Sequence, residues 1–329
     1  MSQVEIRTIA TSDKEAALLL LNEVFSDVQR SSFTRGDAFW TWKYETNVFG
    51  SPILIVAVIE GKIVGFSNLW PWAFKYRGKT YKGLQPCDSV VHKDYQKYGI
   101  FLKMRMKGLQ IASEQGCDVI FNFPNQNSLP SYLKMGWNYL GNPTWYIHVL
   151  SPVKILISRF VKSKSTPISL AAKYDLDCEA LERLSFNNAD FSKYFTTNYV
   201  PGYFKWRYIE HPSLKYGMII YEKGHKSIAA IFTIKQNGGI REMIIVDIVG
   251  DYSSFDHLLR LIKQTAKDCN VDFFALFKSM RFGLLNSLRY GLLPMKNKNF
   301  VALPLNISLE SHLSSINNWS LMASMHDSI

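Results

Sequence analysis

An aromatic segment that occurs twice divides this 329-residue chain into two halves with the same pattern. Phe-Trp-Thr-Trp-Lys-Tyr at 39–44 is matched by Tyr-Phe-Lys-Trp-Arg-Tyr at 203–208, an offset of 164 residues. A second match relates residues 129–136 to residues 284–291. Between the matches, both halves run strand, turn, strand, helix, strand and helix. A duplicated α/β unit is favoured over a coincidence of aromatic-rich patches.

The apolar pattern of the first half predicts the elements of one unit. Residues 53–59 form a short, mostly β-branched run between Pro52 and Gly61, which is typical of a buried strand. Two further strands fill residues 63–91, and a helix follows Gly99. We therefore predict an α/β (α+β) fold with two tandem domains, each a mostly antiparallel mixed sheet flanked by helices.

The domain boundaries follow from the repeat and from a change in composition. We predict a first domain at residues 1–150, a connector at 151–168, a second domain at 169–310 and a C-terminal tail at 311–329. The connector is rich in Lys, Ser and Pro. Its amphipathic part favours a helix packed between the domains over a helix on a membrane surface.

Composition excludes several classes of protein. Apolar residues make up 47% of the chain and charged residues 20%, which is ordinary for a folded globular protein. The longest apolar run has seven residues, whereas a transmembrane helix needs about 20. The four cysteines are scattered without paired spacing, which argues against a disulfide framework and against a metal site. We expect a cytoplasmic protein without a metal.

The positive charge of the chain is concentrated in one stretch. Overall there are 38 basic and 27 acidic residues, a net charge of +11. Residues 75–107 contain nine basic residues opposed only by Asp88 and Asp94, a net charge of +7. Such a field attracts nucleic acid, anionic lipid headgroups or a phosphate-rich cofactor, unless it is only a solvated basic face. No nucleic-acid recognition motif accompanies the charge, so specific nucleic-acid binding is not expected.

Two motifs lie within and after this basic stretch. The first, Val-His-Lys-Asp-Tyr-Gln-Lys-Tyr-Gly-Ile-Phe at 91–101, places a basic turn with one glycine before a helix, where backbone N–H groups can hold an anion. The second is Asn-Gln-Asn-Ser-Leu-Pro-Ser-Tyr-Leu-Lys-Met-Gly-Trp at 125–137. Together they resemble the GNAT superfamily of N-acetyltransferases, in which Gln/Arg-x-x-Gly-x-Gly/Ala precedes a helix and Asn-x-x-Ala/Ser-x-x-x-Tyr-x-x-x-Gly-aromatic follows. Phe101 departs from the pattern, because the family usually has Gly or Ala there.

The resemblance implies a role for each matching position, with acetyl-CoA or another acyl-CoA as co-substrate. The backbone of the turn would hold the pyrophosphate, through Gln96, Lys97, Tyr98, Gly99, Ile100, Phe101 and Leu102. The strand end at Ser89, Val90 and Val91 would pair with the pantetheine arm, and Asn125 would steady that arm. Tyr132 would protonate the departing thiolate; the alternative is an aromatic ring that only packs over the cofactor.

The general base is predicted less directly. Asp88 lies on the strand that leads into the turn and is the candidate base. The alternative for Asp88 is a carboxylate satisfied by a neighbouring lysine or by backbone. His92 is the other candidate, although a lone histidine is usually structural.

The second copy lacks the anion-binding turn, because Gly-Asp-Tyr-Ser-Ser at 250–254 puts an acid at the corresponding place. We therefore expect a degenerate GNAT-like domain that builds the acceptor side. Six of the eight tryptophans lie in the first half, where core and seam packing is favoured over an acceptor pocket.

The leading hypothesis is an N-acyltransferase, most simply an acetyltransferase, acting by direct transfer on a primary amine. A small or nucleotide-linked amino sugar is the expected acceptor, because the tail at 317–327 weakly resembles relatives that acylate such sugars. The alternatives are a Fem-like transferase that uses aminoacyl-tRNA on a cell-wall precursor, and a non-catalytic binding module. The acyl chain length and the oligomeric state stay open.

Overall fold

The computed structural model describes residues 3–26, 35–158, 166–186, 193–237, 239–278, 287 and 289–327. Its helices are α1 Lys14–Ser26, α2 Asp37–Trp40, α3 Ile100–Glu114, α4 Leu129–Lys134, α5 Pro152–Ser158, α6 Cys178–Phe186, α7 Phe255–Asp268 and α8 Glu310–Leu313. Its strands are β1 Glu5–Thr8, β2 Ile53–Ile59, β3 Lys62–Tyr76, β4 Lys79–Val91, β5 Val119–Asn122, β6 Asn138–Gly141, β7 Thr144–Val149, β8 Thr166–Pro167, β9 Thr196–Thr197, β10 Tyr216–Lys223, β11 Lys226–Asn237, β12 Ile240–Gly250, β13 Phe273–Lys278, β14 Leu293–Asn297 and β15 Phe300–Pro304.

Two mixed sheets form the molecule, as the sequence predicts. The first sheet has the order β1-β2-β3-β4-β5-β15-β6, with β9 added beside β3, and the second has the order β10-β11-β12-β13-β7-β14, with β8 beside β11. In each sheet a meander of antiparallel strands is followed by one parallel pair, β4 with β5 and β12 with β13. The predicted α/β fold with flanking helices is confirmed. In the first half, the predicted strand at 53–59 coincides with β2.

The two sheets exchange strands across the predicted domain boundaries. Strand β7 lies within residues 1–150 but pairs with β13 and β14 of the second sheet. Strand β15 lies within residues 169–310 but pairs with β5 and β6 of the first sheet. The reason is local, since only two residues separate β6 from β7, and two separate β14 from β15. Each short connection carries the chain from one sheet directly into the other.

The duplicated aromatic segments meet at the seam between the two halves. Thr41–Glu45 and Lys205–Ile209 are both π-helical turns. The indole N–H of Trp42 donates to the carbonyl oxygen of Trp206 at 2.7 Å, and the reverse hydrogen bond measures 2.9 Å. The two rings stack with centroids 5.9 Å apart. The repeat therefore builds a pseudo-symmetric joint, and half of its second match, at 284–291, lies outside the described residues.

The tryptophans of the first half belong mainly to the core, as the sequence favoured. Trp70 and Trp72 share one face of β3, and both are buried together with Trp42 in the apolar cluster that joins the halves. In the connector, α5 is tied to the second sheet by an ion pair between Lys154 and Asp272. Within the described ranges, no helix combines the length and apolar character that crossing a bilayer requires.

Candidate active site

A gap opens in the first sheet where β4 and β5 diverge. The two strands pair only at Gly83 with Val119 and at Leu84 with Ile120. Beyond that point β5 continues beside β15, while among the described strands no partner covers this edge of β4. The backbone groups of Ser89, Val90 and Val91 that do not bond to β3 therefore face the gap, where the Val91 carbonyl oxygen accepts from Gln96. An extended ligand arm can pair with such an edge as an added strand would.

A bulge in β4 sets the direction of the side chains beside this gap. Phe66 pairs with Val90 and Asn68 with Cys87, so Asp88 and Ser89 together face one residue of β3. Asp88 has φ of 44°, a left-handed conformation that Asp tolerates better than most residues. The bulge leaves Ser89 at the gap while the carboxylate of Asp88 is buried among basic and aromatic side chains. A bulge re-aims side chains in this manner next to many active sites.

The predicted anion turn is exposed and open. Gln96, Lys97, Tyr98 and Gly99 all lie at the surface, and α3 begins directly after them at Ile100. The first N–H groups of a helix have no intrahelical acceptor, and the helix dipole makes this end positive. Gly99 has φ of 73°, and a Cβ atom there would have no heavy atom within 4 Å. The backbone can therefore meet a phosphate at close range.

Side chains near the turn leave this space open. The side-chain amide of Gln96 donates to the carbonyl oxygen of Val91 at 3.3 Å, which ties the turn back to β4. Phe101, the departure from the family pattern, packs its ring against the guanidinium of Arg105, 5.4 Å from the ring centroid. Leu102 is about half exposed. The bulk of Phe101 is thus directed along the helix.

Tyr132 lies in the same region, on α4. Its side chain is buried, with 5% exposure, and its hydroxyl accepts a hydrogen bond from the side-chain amide of Asn122 at 2.7 Å. Its ring meets Trp137 edge to face. Burial raises the pKa of Tyr132 above its ordinary value, against the opposing effects of the Arg105 charge and the Asn122 hydrogen bond. The phenol is therefore protonated at neutral pH and can donate a proton.

Asn125 has a local structural contact that sequence reasoning did not foresee. Its side-chain oxygen accepts hydrogen bonds from the backbone N–H of Ser128 at 2.9 Å and from the Ser128 hydroxyl at 3.1 Å. The side chain thus stabilises the turn that precedes α4. Its part in steadying a ligand arm stays a prediction.

Asp88 is held by three neighbours. The Lys43 ammonium lies 2.5 Å from one carboxylate oxygen, the Tyr44 hydroxyl donates to the same oxygen at 3.0 Å, and Arg35 lies 3.4 Å from the other. Burial acts to raise the pKa of Asp88, but the Lys43 and Arg35 charges outweigh it and hold the pKa below its ordinary value. A carboxylate so stabilised is a weak base. This arrangement corresponds to the alternative considered for Asp88, a carboxylate satisfied by a lysine.

The other candidate base, His92, caps a short turn. Its Nδ1 accepts from the backbone N–H of Asp94 at 3.3 Å, and its Nε2 lies 3.2 Å from Glu23 on α1. A different histidine approaches the site from the C-terminal segment. His326 stacks on Phe123 with ring centroids 5.5 Å apart, and burial lowers its pKa to about 4, so its imidazole is neutral at pH 7.

One group of side chains has the composition of a metal site. The potential ligand atoms of Cys87, Asp88 and Asp327 lie within 4.8 Å of one another. The Lys43 ammonium, which contacts Asp88, also lies 3.8 Å from Asp327. The positive charge of Lys43 therefore already compensates the carboxylates of this group.

The basic stretch at 75–107 forms two separate surfaces. One surface lies near the β3–β4 turn, and the other lies around the anion turn. The two are at opposite ends of β4, whose 13 residues span about 40 Å. Arg105 belongs to neither surface, because its side chain is buried, with 1% exposure. Sequence reasoning counted Arg105 with the surface charge. Its position one turn after Phe101, beside the buried Met104 and Gly108, was the signal that it faces inward.

The corresponding turn of the second copy is closed. Asp251 accepts hydrogen bonds from the backbone N–H of Ser253 at 2.8 Å and from the Ser253 hydroxyl at 2.9 Å. A carboxylate thus caps the turn that a phosphate would need, and it would repel an anion. At Gly250 a Cβ atom would lie 2.3 Å from the Ser227 carbonyl oxygen, so strand β11 fills this space.

A cavity of about 480 Å³ lies where the sheets exchange strands. It is bounded by the end of β5, the β6–β7 connection and the β14–β15 connection, and its lining residues are Phe123, Pro124, Asn125, Gln126, Asn142, Trp145, Met295, Lys298 and Asn299. Ligand pockets have volumes of roughly 300–1,000 Å³, so this one can hold a small molecule. It adjoins the loop that carries Asn125 and leads to Tyr132.

Comparisons with known proteins agree with this fold. Residues 5–140 match the family described as acetyltransferase (GNAT) domain. No curated protein matches the chain in sequence. Among solved structures, a probable N-acyltransferase from Enterococcus faecalis is similar with a TM-score of 0.68 at 13% identity, over 93% of this chain and 74% of that one.

Two further solved structures share the architecture. A GCN5-related N-acetyltransferase from Anabaena variabilis has a TM-score of 0.65 at 13% identity, over 93% of this chain and 74% of that one. N-myristoyltransferase from Saccharomyces cerevisiae, with bound myristoyl-CoA, has a TM-score of 0.53 at 13% identity, over 92% of this chain and 83% of that one. These likenesses cover both halves and show a common fold. Residues 5–140 match the acetyltransferase (GNAT) domain family, and the whole chain shares its fold with these solved structures.

Proposed function

We propose that this protein is an N-acyltransferase that moves an acyl group from acyl-CoA, in the simplest case acetyl-CoA, to a primary amine. The observation that supports this most is the succession of an open phosphate-binding turn, a free strand edge and a buried phenol in one domain. The turn suits the pyrophosphate, the edge of β4 suits the amides of the pantetheine arm, and Tyr132 lies beyond it. The closed turn of the second copy supports one such site per chain.

The chemistry required of the protein is modest. In direct transfer the amine nitrogen bonds to the thioester carbon, the carbon–sulfur bond breaks, the nitrogen loses a proton and the thiolate gains one. We assign the last proton to Tyr132, which is protonated at neutral pH; an ordinary phenol, of pKa about 10, gives a proton to a thiolate of pKa about 8.5 at modest cost, and the raised pKa of Tyr132 adds to that cost. Water takes the proton from the nitrogen, and solvent returns a proton to Tyr132. Asp88 is better suited to holding Lys43 and Tyr44 in place than to taking a proton, because its charge is already compensated.

For the acceptor we propose a small amino sugar, in a nucleotide-linked form, bound in the cavity at the strand exchange. Four side-chain amides line this cavity, together with Trp145 and Lys298. Amides suit sugar hydroxyls, an indole ring stacks on a sugar or base face, and an ammonium group suits a phosphate. The cavity draws residues from both halves, which supports the acceptor role proposed for the second copy. No observation favours the Fem-like alternative over this one.

The first test is binding of coenzyme A. We expect one site per chain by titration calorimetry and loss of most of the affinity in Gly99→Glu, because a carboxylate would enter the phosphate-binding turn at a positive φ. Gly224→Glu is the matched control: Gly224 also has positive φ and open space, but lies in the β10–β11 turn of the second sheet. Equal weakening by both variants, two equivalent sites, or no binding at all would refute the proposed cofactor site.

The second test concerns the acceptor. Release of coenzyme A from acetyl-CoA should rise at least about tenfold with a nucleotide-linked amino sugar, relative to the same sugar without its amino group. The matched comparison removes only the nucleophile and keeps every other contact. A stimulated rate with simple amines but not with amino sugars would refute the acceptor class. Retained coenzyme A binding without turnover of any amine would favour the non-catalytic alternative.

A further inference from the structure

Arg105 is a buried cation whose hydrogen-bonding capacity is only partly used. Its side chain is 1% exposed, and one nitrogen, Nη2, donates to the Ser89 hydroxyl at 2.9 Å. The other two, Nε and Nη1, have no hydrogen-bond partner within the part of the chain that the structure describes. Burying such donors unpaired is costly, and a guanidinium stays charged at neutral pH. A ligand group that enters beside Ser89 can pair with these donors.

The surroundings show which part of a ligand would meet this cation. Ser89 lies on the free edge of β4, at the bulge, and the positive charge of Arg105 acts on the Tyr132 hydroxyl. Arg105 therefore lies between the strand proposed to hold the thioester and the phenol proposed to protonate its sulfur. It follows Gly99 by six residues, which places it about 9 Å along the helix from the phosphate-binding turn. Its hydrogen bond to Ser89 places the guanidinium at the strand end proposed for the thioester.

The nearest carboxylate on β4 does not neutralise this charge. Asp88 is directed to the other side of the bulge, where Lys43, Tyr44 and Arg35 hold it. The ring of Phe101, one turn earlier on α3, packs against the guanidinium of Arg105 and limits its movement. This contact gives the unusual aromatic residue of the turn a positioning role. The cation is thus oriented in advance, with two donors available.

We propose that Arg105 donates a charge-assisted hydrogen bond to the thioester oxygen of the acyl donor. This inference rests on the proposed function, because it requires acyl-CoA in the gap between β4 and β5. When the amine adds to the thioester carbon, this oxygen gains negative charge, and a fixed cation stabilises that charge without reorganisation. Arg105 is then a catalytic residue that complements Tyr132, one acting on the oxygen and the other on the sulfur.

The test compares ligands that differ only at the acyl group, so no acceptor is needed. The probes are acetyl-CoA, S-ethyl-CoA, which lacks the carbonyl oxygen, and free coenzyme A, measured by titration calorimetry. We expect the wild-type protein to prefer acetyl-CoA over S-ethyl-CoA by about tenfold to a hundredfold, the usual range for a hydrogen bond to a charged group. In Arg105→Met the preference should fall severalfold or more, while the affinity for free coenzyme A stays within about threefold.

Two further variants and one further ligand complete the design. Lys103→Met removes an exposed charge from the same helix and should leave the preference unchanged. Arg105→Lys keeps the charge with fewer donors and should give an intermediate preference, which also serves if Arg105→Met does not fold. An unchanged preference in folded Arg105 variants, or no preference in the wild type, would overturn the proposal. Tighter binding of succinyl-CoA than of acetyl-CoA, if it were lost in the Arg105 variants, would also overturn the proposal, because the cation would then bind an acyl carboxylate. Failure of free coenzyme A to bind would instead refute the proposed function itself.

Discussion

Tyr132→Phe should lower the turnover number by about 10²–10⁴-fold, the usual contribution of a general acid. The substitution removes only the hydroxyl, so the ring contact with Trp137 and the burial of the side chain persist. The affinity for coenzyme A should therefore change little. The side-chain amide of Asn122 loses its acceptor, and this loss should lower the free energy of unfolding by about 1–3 kcal/mol. The measurement is kcat with acetyl-CoA and an accepted amine, together with the Kd of coenzyme A.

A matched control separates loss of the proton donor from disturbance of α4. Tyr221→Phe removes a hydroxyl from a partly buried tyrosine on β10 of the second sheet, whose ring stacks on His257 away from the proposed cavity. It should leave kcat within about twofold of the parent. If Tyr132→Phe turned over as fast as the parent, Tyr132 would be a packing residue and the thiolate would take its proton from solvent.

Lys43→Met should destabilise the protein by about 3–5 kcal/mol at pH 7, the usual cost of removing one partner of a buried ion pair. Lys43 and Asp88 are both buried, and Met has a similar length without the charge. Tyr44 and Arg35 still contact Asp88, so the loss should lie at the lower end of that range. Combining Lys43→Met with Asp88→Asn should restore part of the stability, because the uncompensated carboxylate is gone. Urea unfolding of the two single variants and the double variant measures the coupling.

The same variants decide between the two roles considered for Asp88. Asp88→Asn keeps the left-handed backbone accessible, because Asn also tolerates positive φ. For a structural carboxylate we expect lower stability with kcat of the folded enzyme within a few-fold of the parent. A fall in kcat of about 100-fold with unchanged stability would instead identify Asp88 as the general base. As a control, Lys173→Met breaks an exposed ion pair with Asp268 and should cost less than about 1 kcal/mol.

Much of the fold was accessible from sequence because local patterns decide it. The apolar run of β2 and the glycine turn before α3 carry their own signals, and the structure places both where those signals predict. The aromatic repeat was also visible, since the same residue types recur at the same spacing. That the repeat forms a joint was not visible. Two indole N–H groups bond each other's backbone only after the halves dock.

The sequence by itself determined that a basic glycine turn and a tyrosine motif follow each other in the first of two similarly patterned halves, because these patterns depend on residues close together in the chain. Only the tertiary structure decided the exchange of β7 and β15, the partners of Asp88 and the burial of Arg105. Each depends on contacts between residues far apart in the chain, which no local pattern records. A charged side chain looks the same in sequence whether it meets solvent or the gap between two strands, and only packing distinguishes the two.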